Sequence, residues 1–257
     1  MNFDLNKFNI FIAGGLGEIG SYIVKELLKE KARVVVLYSS NKSSDKLVNI
    51  AEEDNLKIIK TDYSDYEKLK KDIFNNAQEY KTNCLISTVG SGRMIGKYPF
   101  KKEEVSKIWD INYFFNRNLA TSISEIILEN HNFNPLGYSS HIFTSSIASS
   151  KNVNAPFEYC ASKSALETLV KNLSIYISPY QRVNTISPGH IFTDKGTWGN
   201  KKKNNPEEFK KTVNKIPLQR IGNCSDISNM YLFLLSKHSS YLTGSNMIID
   251  GGISAQL

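Results

Sequence analysis

The chain has 257 residues, 40% hydrophobic and 22% charged, which is close to globular averages and excludes disordered and collagen-like chains. Its longest apolar stretches, at 31–38 and 245–249, fall far short of the ~20 residues that a membrane-spanning helix needs. The net charge of +7 comes from lysines spread among acids along the chain, so we expect neither a nucleic-acid nor a membrane partner.

The N-terminal sequence and the cysteine spacing indicate the cellular location and whether disulfides are expected. The first residues lack the basic, apolar and small-residue order of a signal peptide. The cysteines, Cys84, Cys160 and Cys224, are odd in number and widely separated, which predicts neither a disulfide framework nor a zinc site. We therefore expect a cytoplasmic protein with no bound metal.

Short apolar segments alternate with helical patterns along the whole chain. The predicted strands are 8–13, 33–38, 56–60, 83–88, 140–145, 182–187 and 245–250. The predicted helices are at about 18–30, 44–54, 65–79, 102–130, 157–178 and 225–236. The strand segments are apolar on both faces, as buried parallel strands are. This order predicts an α/β fold, one parallel sheet with helices on both faces, in a single domain over 1–257.

One stretch, 190–216, departs from this alternation. It contains Trp198 and the basic run Lys201 to Lys203, and it is long for a connection. Connections of that length are usually functional or disordered. We expect a substrate lid here, with 194–214 mobile without ligands and ordered over the substrate.

The turn after the first strand reads AGGLGEIG, with glycines at 14, 17 and 20 between a strand and a helix. The pyrophosphate of a dinucleotide needs such a tight turn and a free helix N-terminus. The turn therefore predicts a dinucleotide site. The residues expected to contact the cofactor here are Gly14, Leu16, Gly17, Glu18, Ile19 and Gly20.

The end of the second strand predicts which cofactor is used. In many dinucleotide folds an acid there binds the adenosine ribose hydroxyls. Here the place holds Tyr38, followed by Ser39, Ser40, Asn41 and Lys42. No carboxylate repels a 2′-phosphate, and one lysine attracts it, so we expect NADP(H) to be favoured over NAD(H). Glu18 would reduce that preference if its carboxylate pointed at the adenosine end.

A catalytic group is indicated further along. Tyr159 and Lys163 are four residues apart, which places them on one face of a helix. A tyrosine is a poor base at neutral pH, and a neighbouring ammonium would favour its phenolate. Ser146 ends the fifth predicted strand and offers a hydroxyl to the same substrate oxygen.

These segments in this order resemble the short-chain dehydrogenase/reductase family across essentially the whole chain. The matching segments are the glycine turn, TSS ending at Ser146, YCASK at 159–163, SPG at 187–189 with Thr193, and YLTGSNMIIDGG at 241–252. The resemblance implies a Rossmann-type, doubly wound, seven-stranded parallel sheet in three layers. It also implies an NAD(P) cofactor, hydride transfer between a small carbonyl compound and its alcohol, and a homotetramer or dimer pairing through 102–130 and 157–178.

The resemblance also assigns roles to single residues. It implies that Tyr159 is the general acid/base, that Lys163 lowers its pKa and binds the nicotinamide ribose, and that Ser146 orients the substrate oxygen. Asn112 falls where the family supports a proton-relay water, with a helix-stabilising amide as the alternative.

The same resemblance extends the cofactor site. Asp62 falls where an acid contacts the adenine, with a helix N-cap as the alternative, and Thr193 falls where the nicotinamide carboxamide is held. The other residues expected at the cofactor are Tyr63, Val89, Gly90, Pro188, Gly189 and Ile191.

Two departures from the family pattern keep alternatives open. Ser87-Thr88-Val89-Gly90 replaces the family's N-N-A-G, so support for the sheet must differ there. The glycine spacing resembles the longer branch of the family, which acts largely on nucleotide sugars. A dehydratase, epimerase or reductase acting on nucleotide sugars or glycan precursors is thus one alternative, and a non-catalytic NAD(P)-binding regulatory protein is another.

Four further residues have an ordinary structural explanation beside a functional one. We expect His141 to be a common strand residue and Cys160 to serve packing. His190 follows the Pro-Gly turn and faces either the substrate or the protein. Trp198 either covers the substrate or packs the lid against the body.

Overall fold

A parallel sheet forms the centre of the protein. The computed structural model describes residues 3–38, 55–82, 84–92, 98–129 and 139–256. The strands are β1 Asn9–Ala13, β2 Arg33–Tyr38, β3 Leu56–Lys60, β4 Cys84–Ser87, β5 Ser139–Thr144, β6 Gln181–Pro188 and β7 Asn246–Ile249. They pair in the order β3-β2-β1-β4-β5-β6-β7, all parallel. The predicted Rossmann-type sheet is confirmed.

Helices connect these strands. The α-helices are α1 Glu18–Lys29, α2 Tyr66–Tyr80, α3 Lys102–Trp109, α4 Phe115–Glu129, α5 Phe157–Ile177, α6 Thr197–Asn204, α7 Pro206–Asn214 and α8 Cys224–Leu235. A π-helical turn, Asp110–Phe114, joins α3 to α4, where one continuous helix was expected. The helix predicted at 44–54 lies outside the described residues. None of the described helices is long and apolar enough to cross a membrane.

Alternate residues of each strand enter different halves of the core. Ile10 and Ile12 of β1 belong to the cluster that includes residues of α1 and α8. Phe11 and Ala13 belong to the cluster that includes residues of α2, α4 and α5. Because strand side chains alternate between faces, a strand buried on both sides is apolar throughout, as the sequence showed.

The predicted lid contains more regular structure than expected. The stretch 190–216 is not irregular, because it forms α6 and α7. Asn205 caps α7 by accepting a hydrogen bond from the Glu208 N–H at 3.1 Å, and Pro206 is the first helical residue. An Asn-Pro start followed by acids is a strong helix signal. Neither helix has a buried residue.

The carboxyl ends of the parallel strands meet along one edge of the sheet. The strand order reverses between β1 and β4, where a crevice forms outside those ends. Gly14, Gly90, Ser146 and Gly189 all follow shortly after a strand at this edge. The fold therefore brings the glycine turn and the Ser146 segment to the same side of the molecule.

Candidate active site

The glycine turn is shaped for close backbone approach. Gly14 has φ +80°, which side-chain-bearing residues rarely adopt, and a Cβ on Gly20 would lie 2.3 Å from the Gly14 carbonyl oxygen. Gly17 is the N-cap of α1 and provides no side-chain hydrogen bond to it. The first N–H groups of α1 therefore lack a side-chain cap at the crevice, and this turn fits a dinucleotide's pyrophosphate.

The side chains of this turn point away from that cradle. Leu16 is 8% exposed and belongs to the core, against which Ile19 also packs. The Glu18 carboxylate accepts a hydrogen bond from the Lys195 N–H at 2.9 Å, so it faces the segment leading into the lid. The turn thus offers backbone to an anion, and Glu18 does not point toward the adenosine end.

The adenosine end of the crevice includes the ends of β2 and β3. Tyr38 is half-buried against the core, while Ser39, Ser40 and Lys42 lie outside the described residues. Asp62 accepts hydrogen bonds from the Ser64 N–H at 2.9 Å and hydroxyl at 2.6 Å, which hold the pKa of its carboxyl below the ordinary value. The N-cap of α2 is Asp65, so Asp62 is not a helix cap, and its side chain stays at the surface.

The side chain of Tyr63, the residue after Asp62, has a structural role. It is 2% exposed and donates a hydrogen bond of 2.5 Å to the Leu37 carbonyl. Burial raises the pKa of its phenol well above the ordinary value. Only the backbone of Tyr63 remains suited to the predicted cofactor contact.

The end of β4 is supported differently from the family's N-N-A-G. The Ser87 hydroxyl donates to the Asn116 side chain at 2.6 Å, and the Thr88 hydroxyl donates to the Ala13 carbonyl at 3.2 Å. Asn116 in turn donates to the Val89 carbonyl at 3.2 Å. These side chains join β1, β4 and α4, so the loop that follows β4 is anchored in the absence of the two asparagines.

Gly90 lies against the polar centre of the site. A Cβ there would come within 2.7 Å of Lys163 Nζ and 2.9 Å of Asn112 Oδ1. A Cβ on Gly92 would meet the Tyr159 ring at 3.3 Å. The glycines of this loop therefore let it approach the side chains that the sequence predicted as catalytic.

Asn112 lies in the π-helical turn and is fully buried. Its amide donates to the carbonyls of Ser91 and Ile108, each at 2.9 Å, and its oxygen accepts from the Ser91 N–H at 3.0 Å. The side chain thus stabilises the helix and fixes the loop beside Lys163, while the support of a proton-relay water stays a prediction. Single π-helical turns occur frequently at functional sites.

Ser146 and Tyr159 meet across the mouth of the site. Ser146 follows β5, and its hydroxyl accepts from the Ala148 N–H at 3.2 Å. Burial raises the pKa of Tyr159, and a hydrogen bond with the Ser146 side chain opposes that rise. The Ser146 side chain is thus near enough to affect the phenol, and the raised pKa favours the protonated tyrosine at neutral pH.

Lys163 is buried below the tyrosine. It is 2% exposed, and its ammonium donates to the Thr144 carbonyl at 2.7 Å and lies 6.0 Å from the centre of the Tyr159 ring. Burial lowers the pKa of Lys163 to about 7, against the opposing charge of Glu167. Burial is the largest influence on the pKa of both groups, and the lowering of the Tyr159 pKa by Lys163 stays a prediction.

The segment after β6 closes the site from the other side. The Gly189 N–H donates to the Ile249 carbonyl at 2.9 Å, and a Cβ there would lie 2.6 Å from that of Asp250. Ile191 forms a bridge with Gly222, and the Thr193 carbonyl accepts from the Gly196 N–H at 2.9 Å. Pro188 through Thr193 therefore leave the sheet at the crevice and lead into α6, as the cofactor prediction requires.

His190 and Trp198 connect this segment to the lid. Their ring centres are 4.2 Å apart, and Lys201 Nζ lies 4.9 Å from the centre of the Trp198 ring. Burial lowers the pKa of His190 to about 4, so the ring is neutral at pH 7. Trp198 therefore packs on the segment that leads from β6 into α6, and both of its predicted roles stay open.

The other histidine and cysteine explanations are structural, as expected. His141 is buried and pairs through Nε2 with the Gln181 side chain at 2.8 Å. Burial raises the pKa of Cys160, which disfavours its reactive thiolate. The described part of the chain holds no group of three or more side chains suited to binding a metal ion.

Sequence reasoning missed one carboxylate of the site, Glu167. It lies one turn after Lys163 on α5 and accepts hydrogen bonds from three serine hydroxyls. The signal in the sequence is its spacing of four residues from Lys163, which places both on one helix face. The serines themselves come from separate segments, and no local pattern links them.

The chain is similar to known oxidoreductases over nearly its full length. The family model described as Enoyl-(Acyl carrier protein) reductase matches residues 15–254. A sorbose reductase of Schizosaccharomyces pombe is 30% identical, with 97% of each chain covered, and an L-xylulose reductase of Bos taurus is 27% identical, with 95% of each covered.

Solved structures agree with these matches. A short chain dehydrogenase of Leptospira borgpetersenii with bound NAD+ is 27% identical, with a TM-score of 0.80 over 96% of this chain and 94% of that one. An NADPH-dependent 3-quinuclidinone reductase of Rhodotorula rubra is 25% identical, with a TM-score of 0.83 over 98% and 93%. The likeness thus extends from sequence to the arrangement of the whole chain.

Proposed function

Because the chain belongs to the short-chain dehydrogenase/reductase family and is an NAD(P)-dependent oxidoreductase, we propose that Ser146, Tyr159 and Lys163 form its catalytic site. The observation that carries the proposal is the buried Lys163 ammonium, which is held by the Thr144 carbonyl at 2.7 Å and lies 6.0 Å from the centre of the Tyr159 ring, beside the uncapped turn of α1. The substrate is a small carbonyl compound or the corresponding secondary alcohol. The bound nicotinamide supplies or takes up the hydride.

Tyr159 moves the proton in this mechanism. Its raised pKa keeps the hydroxyl protonated at neutral pH, so in the reduction direction it donates that proton to the carbonyl oxygen. In oxidation the same oxygen accepts the proton of the alcohol. Ser146 donates a hydrogen bond to the substrate oxygen and thereby places it against the tyrosine.

Lys163 and Asn112 serve the tyrosine from below. An ammonium at Lys163 stabilises negative charge on the Tyr159 oxygen while the proton is away, and it lies within reach of the loop at Gly90 where the nicotinamide ribose would bind. Asn112 holds that loop through Ser91. With Asp62 and Thr193 at the two ends, the residues present fit the cofactor along the whole crevice.

We also propose that NADP(H) is preferred over NAD(H). Glu18 is turned toward Lys195, which removes the main objection to a 2′-phosphate, and Lys42 follows β2 in the sequence. A charge-assisted contact of this kind contributes about 1 kcal/mol, which is several-fold in affinity. The preference should therefore be modest.

The cofactor proposal is tested by kcat/KM for NADPH and NADH on one substrate. Lys42→Ala should reduce the NADPH:NADH ratio several-fold, with Lys25→Ala, an exposed lysine of α1, as the matched control. A preference of the unmodified enzyme for NADH, or an unaltered ratio in Lys42→Ala, would contradict it.

Substrate identity is addressed by a screen. The sorbose and xylulose reductases among the relatives act, by their names, on ketoses, so ketoses and small cyclic ketones come first, followed by the corresponding alcohols. We expect turnover with at least one ketone. Failure of every carbonyl and alcohol with both cofactors would count against the proposed substrate class.

We propose, in addition, a homo-oligomer built on α4 and α5, with 1–257 as one domain in the cytoplasm. Leu166 is buried and Leu169 and Leu173 pack in the subunit's own core, so these leucines are not the contact. The exposed apolar residues of the two helices and of the π-helical turn before α4 are better candidates: Phe114, Leu128, Phe157, Ile175 and Tyr176. Light scattering at micromolar concentration should show a dimer or tetramer, and a monomer alone would contradict this.

A further inference from the structure

One oxygen of Glu167 accepts hydrogen bonds from three serine hydroxyls of two segments at the site. The Ser145 and Ser149 hydroxyls each donate to Glu167 Oε1 at 2.6 Å, and the Ser187 hydroxyl donates to it at 2.8 Å. Ser145 lies between the end of β5 and Ser146, and Ser187 is the next-to-last residue of β6. A single carboxylate therefore connects α5 to both segments that leave the sheet at the site.

Two of the serines bound to Glu167 lie on either side of Ser146 in the sequence and help to hold its segment. The Ser149 hydroxyl also lies 2.7 Å from the Ser146 carbonyl, and the Ser145 hydroxyl lies 3.4 Å from that of Lys163. Ser146 is thus flanked on both sides by serines that Glu167 holds. Hydrogen bonds to a charged acceptor are shorter and stronger than neutral ones.

Glu167 also acts on Lys163 through its charge. The two residues are one helical turn apart, and the carboxylate favours the protonated form of the buried amine. The other groups that face Lys163 are the Tyr159 ring, the Thr144 carbonyl and the Asn112 side chain. Among these groups only the Glu167 side chain acts to raise the pKa of Lys163, against the effect of burial.

We propose that Glu167 is a positioning residue of the catalytic site, which holds the Ser146 segment in place and keeps Lys163 charged. The inference rests on the proposed function, because it assigns Glu167 a role relative to Ser146, Tyr159 and Lys163. It does not make Glu167 a proton donor or acceptor for the substrate. The two contributions, hydrogen bonding and charge, are separable by substitution.

The test compares Glu167→Gln, which keeps an acceptor oxygen but removes the charge, with Glu167→Asp, which keeps the charge but withdraws it from the serines. Thr168→Ala, at the exposed next position, is the control. The readouts are the pH profile of kcat/KM, the melting temperature, and the titration of Lys163 followed by 13C NMR in the presence of NADPH.

Glu167→Gln should shift the alkaline limb of the pH profile and the Lys163 titration to lower pH by about one unit. Glu167→Asp should keep the alkaline limb but lower kcat at every pH, because the serine contacts lengthen. Thr168→Ala should match the unmodified enzyme. Superimposable profiles and lysine titrations for Glu167→Gln and the unmodified enzyme would overturn the inference.

Tyr159→Phe separates this inference from the proposed function. If Tyr159→Phe is inactive while Glu167→Gln leaves the profile and the lysine titration unmoved, only the role of Glu167 is wrong. If Tyr159→Phe retains normal kcat, the proposed catalytic site itself is wrong. Should Glu167→Gln not fold, the result with Glu167→Asp decides: an alkaline limb that moves with it contradicts the charge role.

Discussion

The two helical regions that border the crevice are held in place by different means. Along α5, Lys163 is buried, and Tyr159 and Glu167 are joined by hydrogen bonds to side chains of other segments. The lid helices α6 and α7 have no buried residue; the Trp198 ring of α6 packs on His190, and the Lys195 N–H just before α6 donates to Glu18. The chemical part of the site is therefore fixed by burial, whereas the lid is held by contacts that cost little to break.

The largest loss of activity is expected from a substitution among the buried side chains of α5. Tyr159→Phe removes the exchangeable proton and keeps the ring, so kcat should fall by ~10²–10⁴, the usual contribution of general acid/base catalysis. Cofactor affinity, measured by fluorescence titration, should change little. Tyr176→Phe, an exposed tyrosine on the same helix, is the control. Near-normal kcat in Tyr159→Phe would contradict the proposal that the reaction depends on the buried side chains of α5 more than on the lid.

A second prediction uses the burial of Lys163 itself. Its folded pKa of about 7 lies below the unfolded value of 10.5, so between these pH values the unfolded chain binds more protons. The free energy of unfolding therefore gains a contribution from Lys163 as pH rises through this window, and loses it as pH falls toward 7. In Lys163→Met this dependence disappears.

Urea unfolding at pH 7 and pH 9 measures the difference. The stability of Lys163→Met relative to the unmodified protein should decline by about 2–3 kcal/mol between these pH values. Lys171→Met, an exposed lysine of α5, should show no such decline. Parallel stability curves for Lys163→Met and the unmodified protein would mean that the lysine is solvated in the folded state.

The smallest effect belongs to the lid. Trp198→Ala removes the contact with the His190 ring, and aromatic pairs contribute about 1 kcal/mol. Amide hydrogen exchange over 197–214 should therefore become roughly fivefold faster in Trp198→Ala, with Lys203→Ala on the same helix as the control. NADPH with substrate should slow exchange in this segment of the unmodified enzyme. Equal exchange in Trp198→Ala and in the unmodified enzyme with and without NADPH and substrate would contradict the prediction that this segment is a lid.

Most of the fold was predictable because both faces of its strands are buried. The predicted strand at 182–187 differs from the observed Gln181–Pro188 by one residue at each end, and the helix at 157–178 by one. Residues in such strands must be apolar throughout, so the pattern is strong. The lid helices were missed although Asn205 and Pro206 mark a start and Phe209 and Val213 are four residues apart, because both helices are short and mostly polar.

The sequence predicted which side chains form the candidate site, but not how the fold shifts their pKa values. Spacing identified Tyr159 and Lys163, but not that burial raises the pKa of one and lowers that of the other. Desolvation depends on all the atoms packed around a group, and no local pattern reports it. The convergence of serines on Glu167 was missed for the same reason, since Ser145 and Ser187 meet only in the folded chain.

The bridge between Ile191 and Gly222 has a consequence for how such an enzyme changes its substrate. The Phe192 N–H donates to the Gly222 carbonyl at 2.7 Å, and the Gly222 N–H donates to that of His190 at 2.9 Å. Both ends of the lid segment are thereby fastened to one point on the body. Replacing the residues between them changes the loop without moving its attachment, and the entropy of closing a loop grows only slowly with its length. We therefore expect insertions and substitutions in this segment to alter substrate specificity without moving Ser146, Tyr159 or Lys163.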